Sequence, residues 1–201
     1  MTLRLAVLGD SIAYGQGAAR AADTLGPRLV AALAAAGLDA EHQVFAVPGA
    51  VSADLARQVV RARAWRPDLA VIVVGANDLT RFVPPDRAAA ALAGAVRELR
   101  EHGARVVVAP APDLGVVPHV PPAFRGLVSA GSGLLRQAQV RAAEAAGATV
   151  ADADGTTSTA FARDAALFSA DRFHPSSAGY AVIAAALAPV VMDVARAATA
   201  Q

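Results

Sequence analysis

The chain opens on a strand-like run that ends in glycine, aspartate and serine, Leu3-Arg4-Leu5-Ala6-Val7-Leu8-Gly9-Asp10-Ser11. An apolar run of this length, followed directly by turn-forming residues, is typical of the first strand of an α/β protein. In such folds, ligands collect just outside the carboxyl ends of the strands. Ser11 therefore lies where a nucleophile can reach a bound substrate, and it needs a base, an orienting acid and oxyanion donors from later segments.

Apolar β-rich runs alternate with helical patterns along the rest of the chain. Strands are predicted at 43–47, 69–74, 105–109 and 149–152, and helices at 23–36, 53–63, 86–102, 127–146 and 176–197. Ser52, Asp86 and Ser176 are the predicted N-caps, because their side chains can accept hydrogen bonds from first-turn amides. Segments 110–126 and 153–175 have no periodicity and are predicted to be irregular.

This alternation of strands and helices predicts an α/β fold, in which right-handed crossovers build a parallel sheet with both faces covered. We expect a three-layer α/β/α sandwich around a five-stranded, mostly parallel sheet of the flavodoxin-like type. No linker or repeat divides the sequence, so residues 1–201 are expected to form a single domain.

The composition is that of a globular protein and gives no case for a nucleic-acid partner. Of 201 residues, 55% are hydrophobic and 17% charged, with a formal net charge of +1 and no basic run. The lack of cysteine excludes disulfides and a cysteine nucleophile. The first residues lack the basic segment, apolar region and cleavage site of a signal peptide. The apolar segments are each shorter than the roughly 20 residues needed to span a bilayer. We therefore expect a cytoplasmic protein without integral membrane association.

An Asp-x-x-His pair, Asp171 and His174, precedes the last predicted helix. A serine hydroxyl needs a base to take its proton, and imidazole is the side chain suited to this near neutral pH. An acceptor on the other ring nitrogen must hold that base in one tautomer, and an aspartate three positions earlier can supply it. Taken alone, the pair is equally compatible with a solvated aspartate and a histidine that caps the helix.

Two further residues at predicted strand ends can supply hydrogen-bond donors. Asn77 is the only asparagine in the sequence and follows the buried run 69–74, so its amide can point into a site; a left-handed turn residue is the alternative. Gly49 follows the second predicted strand and offers a backbone N–H with no side chain in the way. A flexible turn glycine is the alternative there.

Other sequence patterns argue against different chemistries. The early glycines lack the dinucleotide-binding spacing, and neither a phosphate-binding loop nor a Gly-x-Ser-x-Gly elbow occurs. The remaining histidines lack ligand-like spacing, so no metal site is expected. Asp113, in the proline-rich segment, is a second candidate for the orienting acid. Asp10 and Asp78 are expected to hydrogen-bond backbone groups and hold their turns.

These features, in this order, resemble the four sequence blocks of the SGNH, or GDSL-like, hydrolase family. Ser11 stands in Gly9-Asp10-Ser11-Ile12, with isoleucine where the family more often has leucine. The glycine of the second block matches Gly49, and the asparagine of the third matches Asn77 in Gly-x-Asn-Asp. The Asp-x-x-His block matches Asp171 and His174, and the resemblance runs from residue 5 to about residue 180.

The resemblance implies hydrolysis of esters or thioesters through an acyl-enzyme, with no metal or organic cofactor. It implies that Ser11 is the nucleophile, His174 the general base and then acid, and Asp171 its orienting partner. It also implies that the oxyanion is bound by the backbone N–H groups of Ser11 and Gly49 and by the side-chain amide of Asn77.

The substrate pocket is predicted to be apolar. Its walls are expected from Leu79, Phe82 and Phe173, together with the 110–126 segment. Such walls favour a small-molecule ester with an acyl chain or a small aromatic group, and a carboxylic ester hydrolase is the expected activity. Thioesterase, lysophospholipase and carbohydrate O-deacetylase activities of the same fold are alternatives, as is a non-catalytic flavodoxin-like binding module.

Overall fold

A five-stranded parallel sheet forms the centre of the protein. The computed structural model describes residues 2–152 and 155–199. The strand order is β2-β1-β3-β4-β5, and each neighbouring pair runs in parallel. The strands are β1 (Leu3–Gly9), β2 (Ala40–Val44), β3 (Leu69–Val73), β4 (Arg105–Ala109) and β5 (Thr149–Val150). The α/β prediction is confirmed, and the order is the flavodoxin-like, doubly wound one.

Helices connect the strands and cover both faces of the sheet. Along the described residues they are α1 (Ser11–Tyr14), α2 (Leu25–Ala35), α3 (Leu55–Trp65), α4 (Ala76–Thr80), α5 (Pro85–Glu101), α6 (Pro122–Ala145), α7 (Thr156–Arg163) and α8 (Ser177–Thr199). One face packs against α3, α5 and α6, and the other against α2 and α8. The predicted three-layer sandwich is therefore confirmed.

The side chains of the three central strands, β1, β3 and β4, alternate between two separate apolar cores. Strand β3 is buried along its whole length, as expected for a central strand covered on both faces. Towards α3 and α5 the buried side chains include Leu8, Ile72, Val108, Leu55 and Leu92. Towards α2 and α8 they include Leu5, Val71, Val107, Leu29 and Leu187.

Strand β2 lies three residues earlier than predicted. It spans Ala40–Val44 and pairs with β1 from Leu3↔Ala40 to Val7↔Val44. The sequence Ala-Glu-His-Gln-Val alternates half-buried and exposed positions, because β2 is an edge strand. The apolar residues 45–47, which suggested the strand, follow its end but still donate hydrogen bonds to the backbone of β1, and Phe45 packs in the core with residues of α3.

Two of the predicted caps are wrong. Ser52 is fully buried in a 3₁₀ turn, Ser52–Asp54, and its hydroxyl donates to Asp78 rather than capping α3. Asp86 lies inside the first turn of α5, which begins at Pro85 because proline tolerates the first helical position. Ser176 does act as predicted, since its hydroxyl accepts from the N–H of Gly179 at 3.2 Å.

The second half of the chain is more ordered than predicted. Helix α6 begins at Pro122, so the expected 110–126 loop is shorter and contains a 3₁₀ turn at Leu114–Val116. Helix α7 forms inside the segment 153–175, and none of its residues is buried. A further 3₁₀ turn covers Ala165–Leu167. Strand β5 is two residues long, and residues 153 and 154 lie outside the described ranges.

Helix α8 is long and apolar enough, by length and composition alone, to cross a membrane, and within the described ranges it is the one helix that passes this test. In the fold, Tyr180, Leu187 and Val191 of α8 are buried in the core beneath the sheet. That apolar stripe is the face expected of a helix that packs against a sheet.

The strand order creates a crevice at the carboxyl ends of β1 and β3. These strands are neighbours in the sheet, whereas their connections lead away on opposite sides, to β2 and to β4. Such a switch point leaves a gap between the loops that follow the two strands, where ligands of this fold class bind. The turns that begin at Asp10 and at Val74 border this gap.

Candidate active site

Ser11 is presented by a tight turn that only glycine allows. Gly9 has φ +132°, and a Cβ there would lie 1.8 Å from the carbonyl oxygen of Val73. The chain then passes from β1 into α1, whose N-cap is Asp10; the Asp10 carboxylate accepts from the N–H of Ile12 at 3.0 Å. Ser11 is the first residue of α1 and is 5% exposed, so the turn fixes where its hydroxyl points.

Asp10 holds the turns after β1 and β3 together, as predicted. It is 1% exposed, and burial raises its pKa to about 6. Backbone N–H groups of Ile12, Gly75 and Ala76 stabilise the charged form and oppose that rise. The Asp10 carboxylate therefore links the turn that carries Ser11 to Gly75 and Ala76, which directly precede Asn77.

His174 forms a hydrogen-bonded chain with Ser11 and Asp171. Its Nε2 lies 3.0 Å from Ser11 Oγ, and its Nδ1 lies 2.6 Å from Asp171 Oδ2. An ionised carboxylate can only accept, so Nδ1 of the neutral ring carries the proton. Nε2 is then left as the acceptor for the Ser11 hydroxyl, which is the arrangement that a general base requires.

The carboxylate of Asp171 is kept ionised and fixed in position. Its Oδ1 accepts from Ser169 Oγ at 2.8 Å and from the N–H groups of Phe173 and His174 at 2.9 Å. Burial acts to raise its pKa, but the His174 ring and these other donors outweigh burial and hold the pKa of Asp171 well below its usual range. Asp113, the second candidate, instead accepts from the N–H of Gly115 and the hydroxyl of Ser129.

Three contacts hold the His174 loop over Ser11. The buried Tyr180 donates its hydroxyl to the carbonyl of Gln16 at 2.8 Å. At Gly17, a Cβ would come within 2.5 Å of the Pro175 carbonyl and 2.9 Å of the His174 side chain, so the two segments pack closely. His119 lies beside the loop from the other side, with Nε2 2.6 Å from the carbonyl of Asp171. The sequence had given no role to His119.

Gly49 and Asn77 lie at the same edge of the sheet as Ser11. The N–H of Val47 donates to the carbonyl of Gly9 at 3.1 Å, which places the turn containing Gly49 beside the end of β1. Asn77 stands in α4, and its side-chain amide donates to the carbonyl of Ala50 at 3.0 Å. An amide nitrogen has two protons, so one remains for another acceptor. Within the described residues, the backbone N–H groups of Ser11 and Gly49 have no acceptor.

An apolar cavity of about 60 Å³ opens beside Ser11 and His174. Its far walls are aromatic and aliphatic side chains from the 3₁₀ turn after β4, from α7 and from the loop before α8, including Leu114, Val117, Phe161, Phe168 and Phe173. Phe161 and Phe168 pack edge to face with ring centroids 5.0 Å apart. Phe173 was predicted to line the pocket, whereas Phe161 and Phe168 were not.

The three predicted substrate-binding residues share one open groove, but only one of them also lines the cavity beside Ser11. Phe173 lines the cavity beside Ser11 and also an adjoining open groove of about 330 Å³. Leu79 and Phe82 line only that groove. Phe82 is 90% exposed and has φ +54°, a backbone conformation that is rare for a bulky side chain.

Two buried glutamines that the sequence did not single out brace the strand ends. Gln58 of α3 exchanges two hydrogen bonds with the backbone of Gly9, at 2.7 and 2.8 Å. Gln139 of α6 accepts from the N–H of Ala111 at 2.7 Å and donates to the carbonyl of Val74 at 3.1 Å. A polar residue on the apolar face of each helix was the available signal, because such a group must find partners when buried.

The polar groups of the site are side-chain and backbone groups of the protein itself. Throughout residues 2–152 and 155–199, no three His, Cys, Asp or Glu side chains meet in a group that could hold a metal ion. The arrangement instead combines a hydroxyl and a base with an oriented proton beside one cavity, with the unused N–H groups of Ser11 and Gly49 at the same edge of the sheet. Such a set is suited to acyl transfer.

Comparison with known proteins agrees with this chemistry. The model of the GDSL-like lipase/acylhydrolase family matches residues 7–182, and the chain belongs to this family of ester hydrolases. The GDSL-like esterase Rv1075c of Mycobacterium tuberculosis (strain ATCC 25618 / H37Rv) is 37% identical over 186 residues, which cover 90% of this chain. Those residues are 59% of that relative, so the chain spans about three-fifths of its length.

Solved structures with the same fold include TesA and two esterases. TesA has a TM-score of 0.78 at 22% identity, covering 95% of this chain and 99% of that one. A catalytic mutant of Axe2, an acetylxylan esterase from Geobacillus stearothermophilus, has a TM-score of 0.73 at 21% identity over 95% of each chain. The psychrotrophic esterase EstA from Pseudoalteromonas sp., inhibited by monoethylphosphonate, reaches 0.68 at 17% identity, covering 98% of this chain and 96% of that one. At these identities the likeness is one of fold.

Proposed function

We propose that this protein is a serine carboxylesterase that hydrolyses esters of short, apolar acyl groups. The observation that carries the proposal is the unbroken hydrogen-bonded chain from Ser11 Oγ through His174 to Asp171 at the mouth of an apolar cavity. A hydroxyl bonded to an oriented base is an activated nucleophile. The family match supports ester hydrolysis as the reaction.

The proposed reaction has two half-reactions on Ser11. His174 Nε2 takes the hydroxyl proton as Oγ attacks the ester carbonyl carbon, and the carbonyl oxygen becomes the oxyanion of a tetrahedral intermediate. The bond to the alcohol oxygen then breaks, His174 returns the proton to that oxygen, and the acyl group stays on Ser11. Water, deprotonated by His174, attacks the acyl-enzyme in the same way and releases the carboxylic acid.

The proposed oxyanion donors are the N–H groups of Ser11 and Gly49 and the second amide proton of Asn77. They border the crevice between β1 and β3, on turns that Asp10 and the Ala50 carbonyl hold together. Preorganised donors of this kind are each worth about 2.7–4 kcal/mol in the transition state. With three such donors, stabilisation of the oxyanion is the main catalytic effect proposed for this site.

The cavity size argues for short acyl groups. One water-sized group needs about 10–15 Å³ of such space, so about 60 Å³ accommodates roughly four to six non-hydrogen atoms. The Phe161–Phe168 pair stands in the cavity wall as a rigid barrier. Beyond the carbonyl carbon, acyl groups from acetyl to hexanoyl have one to five carbons and fit this space, whereas a palmitoyl chain must extend into the adjoining groove or move the walls.

A series of p-nitrophenyl esters from acetyl to palmitoyl tests the function and the cavity together. We expect hydrolysis with the highest kcat/KM between acetyl and hexanoyl, and a steep fall at longer chains because the cavity is then overfilled. No hydrolysis of any member would contradict the esterase assignment. An optimum at palmitoyl would contradict the role given to the cavity and would favour a lipase-like activity.

Removing the Asn77 amide is expected to slow chemistry without weakening substrate binding. Asn77→Ala should lower kcat by about 10²–10³-fold and leave KM nearly unchanged, because the donor acts on charge that develops in the transition state. The variant should be compared with Thr80→Ala, which removes a hydroxyl from the same helix that donates only to the Asn77 carbonyl. A rise in KM with unchanged kcat would mean that Asn77 binds the ground state.

A further inference from the structure

Helix α4 and the residue that follows it hold the turn that contains Gly49 through three side chains. Asn77 donates to the carbonyl of Ala50, and Asp78 accepts from the N–H and the hydroxyl of Ser52 at 3.0–3.1 Å. The third contact comes from Arg81, which follows α4 directly: its Nη2 donates to the carbonyl of Gly49 at 2.8 Å. Asn77 in this short helix is itself a proposed oxyanion donor. The same segment also holds the turn that carries Gly49, the residue of a second proposed donor.

The Gly49 turn needs such ties because little else holds it. Val47 and Pro48 are exposed, and Gly49 has φ +80°, in the region where glycine moves most freely. The peptide that joins Gly49 to Ala50 is fixed at both ends, since its N–H donates to the Val47 carbonyl at 3.0 Å and its carbonyl accepts from Arg81. The Gly49 N–H belongs to the preceding Pro48–Gly49 peptide, which joins the anchored peptide at the Gly49 Cα. Because the ring of Pro48 fixes φ on the other side, the anchored peptide limits where the Gly49 N–H can point.

Arg81 makes this contact from the surface, close to the glycine itself. The side chain is exposed, and a Cβ built on Gly49 would lie 3.6 Å from Arg81 Nη2. A guanidinium is always charged and forms stronger hydrogen bonds to a carbonyl than a neutral donor does. It can therefore hold a flexible glycine peptide even where water competes.

We propose that Arg81 is a positioning residue of the oxyanion hole, which acts on the transition state by orienting the Gly49 peptide. The inference rests on the proposed esterase function, in which the Gly49 N–H stabilises the oxyanion. Without the Arg81 contact, the Gly49–Ala50 peptide keeps only the hydrogen bond from the Ala50 N–H to the Val47 carbonyl. The Gly49 Cα and the preceding Pro48–Gly49 peptide can then shift, so the Gly49 N–H is less well aligned with the developing charge. The loss appears in kcat, because a misaligned donor costs little in the ground state.

The test compares Arg81→Ala and Arg81→Lys with a matched control, Arg105→Ala. Arg105 also donates from Nη2 to a backbone carbonyl, that of Ala197 at 3.0 Å, but at the end of α8. On p-nitrophenyl butyrate, we expect Arg81→Ala to lower kcat about 10- to 100-fold with KM little changed. Arg81→Lys should recover part of the loss, since it keeps the charge and one donor, and Arg105→Ala should retain the parental kcat.

A tetrahedral inhibitor separates positioning from general stabilisation. Binding of an alkyl boronic acid to Arg81→Ala should weaken by the same factor as kcat, while the melting temperature stays near the parental value. The inference is overturned if Arg81→Ala behaves like Arg105→Ala, if KM rises with kcat unchanged, or if only the melting temperature falls.

A parallel Ser11→Ala variant distinguishes failure of this inference from failure of the proposed function. If Ser11→Ala is inactive while Arg81→Ala keeps the parental kcat, the esterase assignment is supported and the role proposed for Arg81 is wrong. If Ser11→Ala hydrolyses the ester as fast as the parent does, both the proposed esterase mechanism and the role proposed for Arg81 are wrong.

Discussion

Ser11→Ala is expected to lower kcat for p-nitrophenyl butyrate by about 10⁶-fold, because the group that forms the acyl-enzyme is removed. The hydroxyl makes one side-chain hydrogen bond, to His174, so its loss leaves the β1–α1 turn intact. The turn depends instead on Gly9 and on the Asp10 cap. We therefore expect the melting temperature to change little while activity falls to the rate left by the oxyanion donors and binding alone.

Ser129→Ala is the matched control for this variant. Its hydroxyl also makes one polar side-chain contact, to Asp113 at 3.0 Å, but it does not touch His174. Activity close to the parental level is expected for Ser129→Ala. A Ser11→Ala variant that keeps a substantial fraction of the parental kcat would show that another group attacks the ester.

Asp171→Ala is expected to lower kcat by about 10⁴-fold through its effect on His174. Because this change also removes the acceptor of three other donors, Asp171→Asn is the sharper variant. The asparagine oxygen can still hold the loop, but its amide faces Nδ1 and donates to it. The ring proton then moves to Nε2, which can no longer accept the proton of Ser11, so a comparable loss of kcat is expected.

Asp113→Ala provides the comparison for the orienting acid. The Asp113 carboxylate caps the 3₁₀ turn at Leu114–Val116 and contacts Ser129 rather than His174. Its removal should lower stability by about 1 kcal/mol, the usual cost of a lost cap, and should lower kcat far less than Asp171→Ala does. Steady-state kinetics and thermal melts of the variants show which aspartate orients His174. A fall in kcat for Asp113→Ala as large as that for Asp171→Ala would contradict the choice of Asp171.

The central strands could be predicted from the sequence because they are buried on both faces. Strands β1, β3 and β4 agree with the predicted bounds to within one residue, since a strand covered by helices reads as a continuous apolar run. Strand β2 was displaced because an edge strand carries polar residues at its exposed positions. The start of α6 was missed because Pro121 and Pro122 look like loop residues, although proline suits the first helical position.

Much of the site's arrangement also follows from the sequence. Parallel strands bring the residues after their carboxyl ends to one edge, so the proximity of the turns after β1 and β3 was predictable. The contact of His174 with Ser11 depends on how the segment before α8 folds back, which local patterns do not determine. Phe173 and the 110–126 segment were predicted as pocket walls, whereas Phe161 of α7 was not, because its place beside Ser11 depends on contacts between segments far apart in the chain.

Arg81 and the bracing glutamines show why the remaining contacts were not visible. The sequence has 18 basic residues, all arginine, so one more on the surface carries no signal. The role of Arg81 depends on one bond to a carbonyl far away in the chain, that of Gly49. Every residue has a backbone carbonyl, so the sequence does not indicate which carbonyl accepts a hydrogen bond. Only the fold shows which one an exposed guanidinium reaches.

Covalent labelling by a serine-directed organophosphonate, with peptide mapping by mass spectrometry, tests most directly whether Ser11 is the activated nucleophile. The hydrogen-bonded chain from Ser11 to Asp171 predicts one phosphonyl group per chain, on Ser11, with loss of ester hydrolysis in proportion to labelling. Ser11→Ala should take up none. An adduct on a different residue, or an unlabelled Ser11 in a protein that hydrolyses esters, would contradict the account.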